Sequence, residues 1–141
     1  MKKFLSILVV SAFLLTSNSF AGEKKGLNVL LTSGDAQTQL MAMVLSMSTL
    51  QKKKVINMTL CSSAADLAIK GKKSPLLKPK NVSAKMMLKK LIKNGAKVTV
   101  CPLYLPNANL DKSALLDGIE VAIPKNVAMD LLNSDFSTLS Y

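Results

Sequence analysis

LKKLIKNGAKVTVCPLYLP, residues 88 to 106, changes from one kind of order to another at a single glycine. Before the glycine, Met87, Leu88, Leu91 and Ile92 fall on one side of a 3.6-residue repeat. Lys85, Lys89, Lys90 and Lys93 fall on the other, which predicts an amphipathic helix capped by Ser83. Asn94-Gly95 ends it with a residue that accepts positive φ. After it, Val98, Thr99 and Val100 form a short β-branched run, which predicts a strand. That strand stops at Cys101, and Pro102 follows at once.

The same alternation recurs on both sides of this unit. LNVLLT (27–32) reads as a buried strand. Asp35 then caps a helix, AQTQLMAMVLSMSTLQ. This helix is apolar almost all round, so it is expected to be buried on two sides, by its sheet and by a neighbouring helix or subunit. VINMTL (55–60) is a second strand with Cys61 at its end, and a short helix is expected from Ser62 or Ser63 through DLAIK. Residues 71–82 are a Lys- and Pro-rich loop. Downstream, a Pro/Asn loop follows Cys101 and Asp111 caps a short helix KSALLD. GIEVA is a small strand or turn, Pro124 opens a helix, and FSTLSY is a last strand. Strands alternating with helices imply βαβ crossovers. The expected fold is a three-layer α/β/α sandwich on a mainly parallel sheet of about five strands.

The first residues predict export. Lys2 and Lys3 precede an apolar run, FLSILVVSAFLL, and Ser19 and Ala21 occupy the small-residue positions before a cleavage site. Residues 1–21 are therefore expected to be a signal peptide and 22–141 a single periplasmic domain, with no stable membrane insertion after cleavage. The whole chain carries a net charge of +11, or +9 without Lys2 and Lys3, and every base is lysine. Export, the lack of arginine and the lack of clustered aromatics argue against nucleic-acid binding.

Absences narrow the chemistry further. There is no histidine, which removes the Ser-His-Asp triad, the Cys-His pair and the His-based zinc site. Two cysteines forty residues apart make neither a CxxC motif nor a Cys₄ metal site. No glycine-rich phosphate loop is present, and no cofactor is expected. Cysteine, lysine, a few acids and backbone amides remain.

Ligands of open parallel sheets bind beyond the carboxyl ends of the strands. Cys61, Cys101 and the Ser33-Gly34-Asp35 turn all fall at such ends, so one edge should gather them. Cys101 is the candidate reactive thiol, with Lys97 as a neighbour that would favour the thiolate. Gly34, Asp35 and Lys97 are the candidate ligand-binding residues. Cys61 reads equally as a disulfide partner, a second relay thiol or a core residue.

LNVLLTSGDA, the Ala/Met/Leu-rich helix, LKKLIKNGAKVTVCPLYL and LLDGIEVA together resemble the DsrE/DsrF-like proteins, which include the TusBCD-type sulfur-relay subunits. The resemblance spans nearly all of residues 22–141. It implies a small α/β/α domain in a homo- or hetero-oligomer, often a trimer or hexamer. It also implies that Cys101 can hold sulfur as a persulfide. Many relatives have a small Gly-containing loop after that cysteine, where this chain has Pro102, Pro106 and Asn107.

The leading expectation is thus a sulfur carrier rather than a classical enzyme. Cys101 would bind or pass sulfane sulfur and Cys61 would resolve or accept it. The partner would be a sulfur donor or acceptor protein, or a small anionic sulfur compound drawn by the ten lysines of Lys70 to Lys97. The alternative is a binding or assembly module with structural cysteines. A third reading, copper(I) held by Met41, Met43 and Met47, meets a geometric objection. Met41 and Met43 diverge by roughly 200° around a helix, so no metal ligand is assigned.

Overall fold

The computed structural model describes residues 22–141. The expected signal peptide, 1–21, lies outside the described residues. Five strands form one wholly parallel sheet: β1 Gly26–Leu31, β2 Val55–Leu60, β3 Lys97–Val100, β4 Ile119–Val121 and β5 Phe136–Ser140. They lie in the order β4-β3-β2-β1-β5. The helices are α1 Ala36–Gln51, α2 Ala84–Lys93, α3 Tyr104–Asn107 and α4 Pro124–Leu131, with 3₁₀ segments at Ser62–Ala68 and Lys112–Ala114.

The first four strands advance in one direction, and the chain then returns past three of them to place β5 beside β1. Right-handed crossovers put the helix of such a return on the opposite face. The strands show the division. Val29, Leu31, Ile56, Met58, Leu60, Val98 and Val100 form the core with Met43, Met47, Leu88 and Leu91 of α1 and α2. Several of the alternate residues are polar. Asn57 Nδ2 donates to Asn28 Oδ1 at 3.0 Å, the Thr59 and Thr99 hydroxyls lie 3.2 Å apart, and Asn28 Nδ2 donates to the Asp130 carbonyl of α4.

Local chemistry sets the helix ends as expected. Asp35 Oδ1 accepts from the Thr38 amide at 2.8 Å and Ser83 Oγ from the Met86 amide at 3.2 Å. Gly95, at φ +90°, carries the chain from α2 into β3. The Ser83→Ala variant should lose about 1 kcal/mol. It should be read as a lower urea midpoint at unchanged slope; an unmoved midpoint would mean that the cap is idle.

Three local expectations change. The Pro/Asn loop after Cys101 contains α3, because Pro106 sits in its first turn, where a missing amide costs nothing. The helices expected at DLAIK and KSALLD are instead the 3₁₀ segments. Ile69 and Leu115 pair in an antiparallel bridge, with Leu116 N donating to Ala68 O at 2.7 Å, and this pairing halts both turns. Lys85, expected on the polar stripe of α2, is buried, and its Nζ donates to the carbonyls of Ile69 and Lys72. As expected, α1 is buried on two sides, by the sheet and by α2, and its remaining face leaves Met41, Val44 and Leu45 exposed by 40–54%. Met43 is fully buried and Met47 nearly so, so the three thioethers do not converge.

Candidate functional site

Strands β2 and β3 are neighbours, and their register ends on the pair Leu60 and Val100. Cys61 and Cys101 are the next residue on each. The ladder continues through both: Cys61 N donates to Leu31 O at 2.9 Å and Cys101 N to Leu60 O at 2.8 Å. The two residues therefore stand side by side at the carboxyl edge, on strands spaced about 4.8 Å apart. Both are free thiols and both are half-buried.

The chain leaves the two cysteines differently. After Cys61, Ser62 adopts φ +51°, a left-handed conformation that costs a non-glycine residue about 1–2 kcal/mol. It turns the chain into the 3₁₀ segment, whose Ala64, Ala65, Leu67 and Ala68 are buried in the core. After Cys101, Pro102 leads into α3, and the Cys101 carbonyl accepts from Tyr104 N at 3.0 Å. Between these two exits opens a cleft of about 510 Å³ lined by Cys101, Ser62, Ser63, Asp66, Tyr104 and Asn107, with the exposed Leu103 beside them. Of the two thiols, Cys101 lines this cleft and Cys61 does not.

Burial also acts on the Cys61 thiol. Burial, then a hydrogen bond to Cys101 and the charge Cys101 would carry, push the Cys61 thiol from its ordinary 9.0 up to about 11. Cys61 thus keeps its proton at neutral pH. That proton stabilises the folded state below the ordinary thiol range, and the stabilisation is lost as pH rises towards 11. Alkylation of Cys61 by iodoacetamide should accordingly keep accelerating up to about pH 11. A plateau near pH 9 would contradict this.

The cleft wall is a charged network. Asp66 Oδ1 accepts from the Tyr104 hydroxyl and, at 2.7 Å, from Lys72 Nζ. Burial works against the Asp66 carboxylate, but hydrogen bonds from Lys72 and Tyr104 and the charges of Lys72 and Lys85 prevail, so its pKa is lowered. Burial and the bond to Asp66 raise that of Tyr104, which stays a donor. Lys85 braces the carbonyls of 69 and 72 behind this wall.

Solved structures share this architecture, among them one from E. coli and one from Methanobacterium thermoautotrophicum. YchN of E. coli superposes with a TM-score of 0.68 at 17% identity, over 84% of this chain and 99% of YchN. MTH1491 of Methanobacterium thermoautotrophicum, a protein of unknown function, superposes at 0.61 and 10% identity, over 84% of this chain and all of that one. The fold is DsrE-like. No protein-family model matches the chain, and no curated protein matches it in sequence. At these identities the likeness establishes the fold, so the chemistry rests on the residues themselves.

The DsrE-like sheet brings together only part of the expected set. Cys61 and Cys101 are adjacent. Gly34 lies beside them, since a Cβ there would come within 2.9 Å of Ser63 Cβ; the glycine lets the β1–α1 turn close against the start of the 3₁₀ segment. Asp35 does not line the cleft, and its carboxylate is engaged at the cap of α1. Lys97 is displaced furthest. It starts β3 where Cys101 follows its end, roughly 13 Å away along a strand. It lines a separate small cavity with Asn57, Thr99, Glu120 and Asp130, and so does not attend the Cys101 thiolate.

The residues that do line the cleft, Asp66 and Tyr104, were not singled out in the sequence. One signal was available. Asp66 is the sole acid in residues 36–110, five positions after Cys61 in a lysine-rich region. Tyr104 gave none, because Pro102 and Pro106 read as a loop.

Proposed function

We propose that the protein carries sulfane sulfur as a persulfide on Cys101. The observation that supports this most is the division of labour at the sheet edge. Cys101 opens onto a cleft that admits a small donor or the loop of a partner protein, while the adjacent Cys61 is set back and held protonated. The Cys101 thiolate attacks the outer sulfur of a donor persulfide or of thiosulfate. The donor leaves as a thiolate or as sulfite, so no further oxidant is needed. The lysines of Lys70 to Lys97 give the protein a positive field that draws anionic sulfur compounds towards it.

The setting follows from the same reading. Residues 1–21 direct the chain to the periplasm, and a second copy of the chain is the partner for α1. That helix carries no charged residue and exposes Met41, Val44 and Leu45, an apolar face for a second copy with Lys78 at its edge. Among the described residues, no helix is long and apolar enough to cross a membrane.

The test is the intact mass of protein purified without reductant and treated with polysulfide. A gain of whole sulfur atoms, removed by a reductant, is the expected result. A chain that takes up no sulfur would refute the reading.

A further inference from the structure

We infer that Cys61 unloads the sulfur by attacking Cys101 itself, releasing hydrosulfide and closing a Cys61–Cys101 disulfide, rather than by taking the sulfur over. This deepens the persulfide reading and rests on it. Two observations carry it, the ladder position of the cysteines and the lining of the cleft. The cysteines extend a closed ladder by one position on adjacent strands, about 4.8 Å apart. Disulfides form at Cα separations of 4.4–6.8 Å. Cys61 follows Leu60 as Cys101 follows its register partner Val100, so the atom within reach of the Cys61 thiol is Cys101 Sγ, the inner sulfur of the persulfide. The outer sulfur occupies the cleft, which Cys61 does not line.

The step balances without an added oxidant. Cys61 loses its proton to solvent and its thiolate attacks Cys101 Sγ. The Sγ–S bond of the persulfide breaks, and the outer sulfur departs with its own proton as hydrosulfide. Formation of the Sγ–Sγ bond supplies the two electrons that reduce it. A dithiol reductant must then reopen the disulfide before a second round. The raised Cys61 proton affinity makes this discharge slow, which leaves time for transfer to an acceptor in the cleft.

Wild type and Cys61→Ser should be loaded with polysulfide, freed of donor by gel filtration and followed by intact mass and released sulfide. The wild type should lose one sulfur per chain, end two hydrogens short of the dithiol and release one hydrosulfide. Cys61→Ser should hold its persulfide on the order of tenfold longer or more, since it lacks the intramolecular nucleophile. Equal lifetimes, or hydrosulfide without a disulfide, would overturn the inference while leaving the persulfide reading intact. The reverse direction separates the two further. Wild type oxidised with diamide and then given hydrosulfide should yield a persulfide on Cys101 and a free Cys61. Failure of that reaction overturns the inference; its success alongside failed loading from polysulfide overturns the carrier reading alone.

Discussion

Replacing Cys101 by serine is expected to abolish sulfur loading outright while the protein stays folded. The thiolate is the atom that attacks the donor, and a serine hydroxyl at neutral pH is not ionised and cannot replace it. Cys61 does not compensate, because it lies off the cleft and its burial, which the variant keeps, favours the protonated thiol. The variant should melt near the wild type, since the residue is half-buried and its backbone bond to Leu60 remains. Sulfur uptake that survives in Cys101→Ser would move the carrier to another residue. Uptake lost together with folding, seen by circular dichroism, would make the cysteine structural and favour the assembly-module reading.

The largest effect on stability is expected at Leu60. It is fully buried in β2, flanked in register by Leu31 and Val100, and it immediately precedes Cys61. Leu60→Ala should cost about 3 kcal/mol, from lost transfer energy and from the cavity that the surrounding strands cannot close. Against a total of about 5–15 kcal/mol that is a large share. A fall of roughly 10 °C in Tm should accompany it. Leu103→Ala, at the exposed lip of the cleft, should change stability by less than about 0.5 kcal/mol. Urea melts compare the two, and a Leu60→Ala loss below about 1 kcal/mol would contradict the central place of β2.

The elements were legible because their signals are local. Asp35 and Ser83 cap helices through a hydrogen bond three residues away, Gly95 turns the chain within one residue, and Val98, Thr99 and Val100 carry their own preference for extended backbone. Strand order was not legible. An apolar run states that a strand is buried and leaves its neighbours open. Lys85 and Lys97 show the same limit at residue scale. A helical wheel puts Lys85 with the other lysines, and only the carbonyls of Ile69 and Lys72 explain its burial. Lys97 is close to Cys101 in sequence, yet an extended strand is the longest path four residues can make. Asp66 and Tyr104 lie 38 residues apart and meet because β2 and β3 pair and both chains leave the same edge.

The central claim is that Cys101 is the residue that holds sulfur, and the lysines allow it to be read by position. Trypsin cleaves after Lys97 and Lys112, giving a peptide with Cys101 alone, and after Lys54 and Lys70, giving one with Cys61 alone. The protein should be loaded with polysulfide, alkylated at once and digested without reductant. The account predicts the extra sulfur on the peptide Val98 to Lys112 and an alkylated Cys61 thiol with no added sulfur on Val55 to Lys70. Sulfur found on the Cys61 peptide, or on neither, would contradict it.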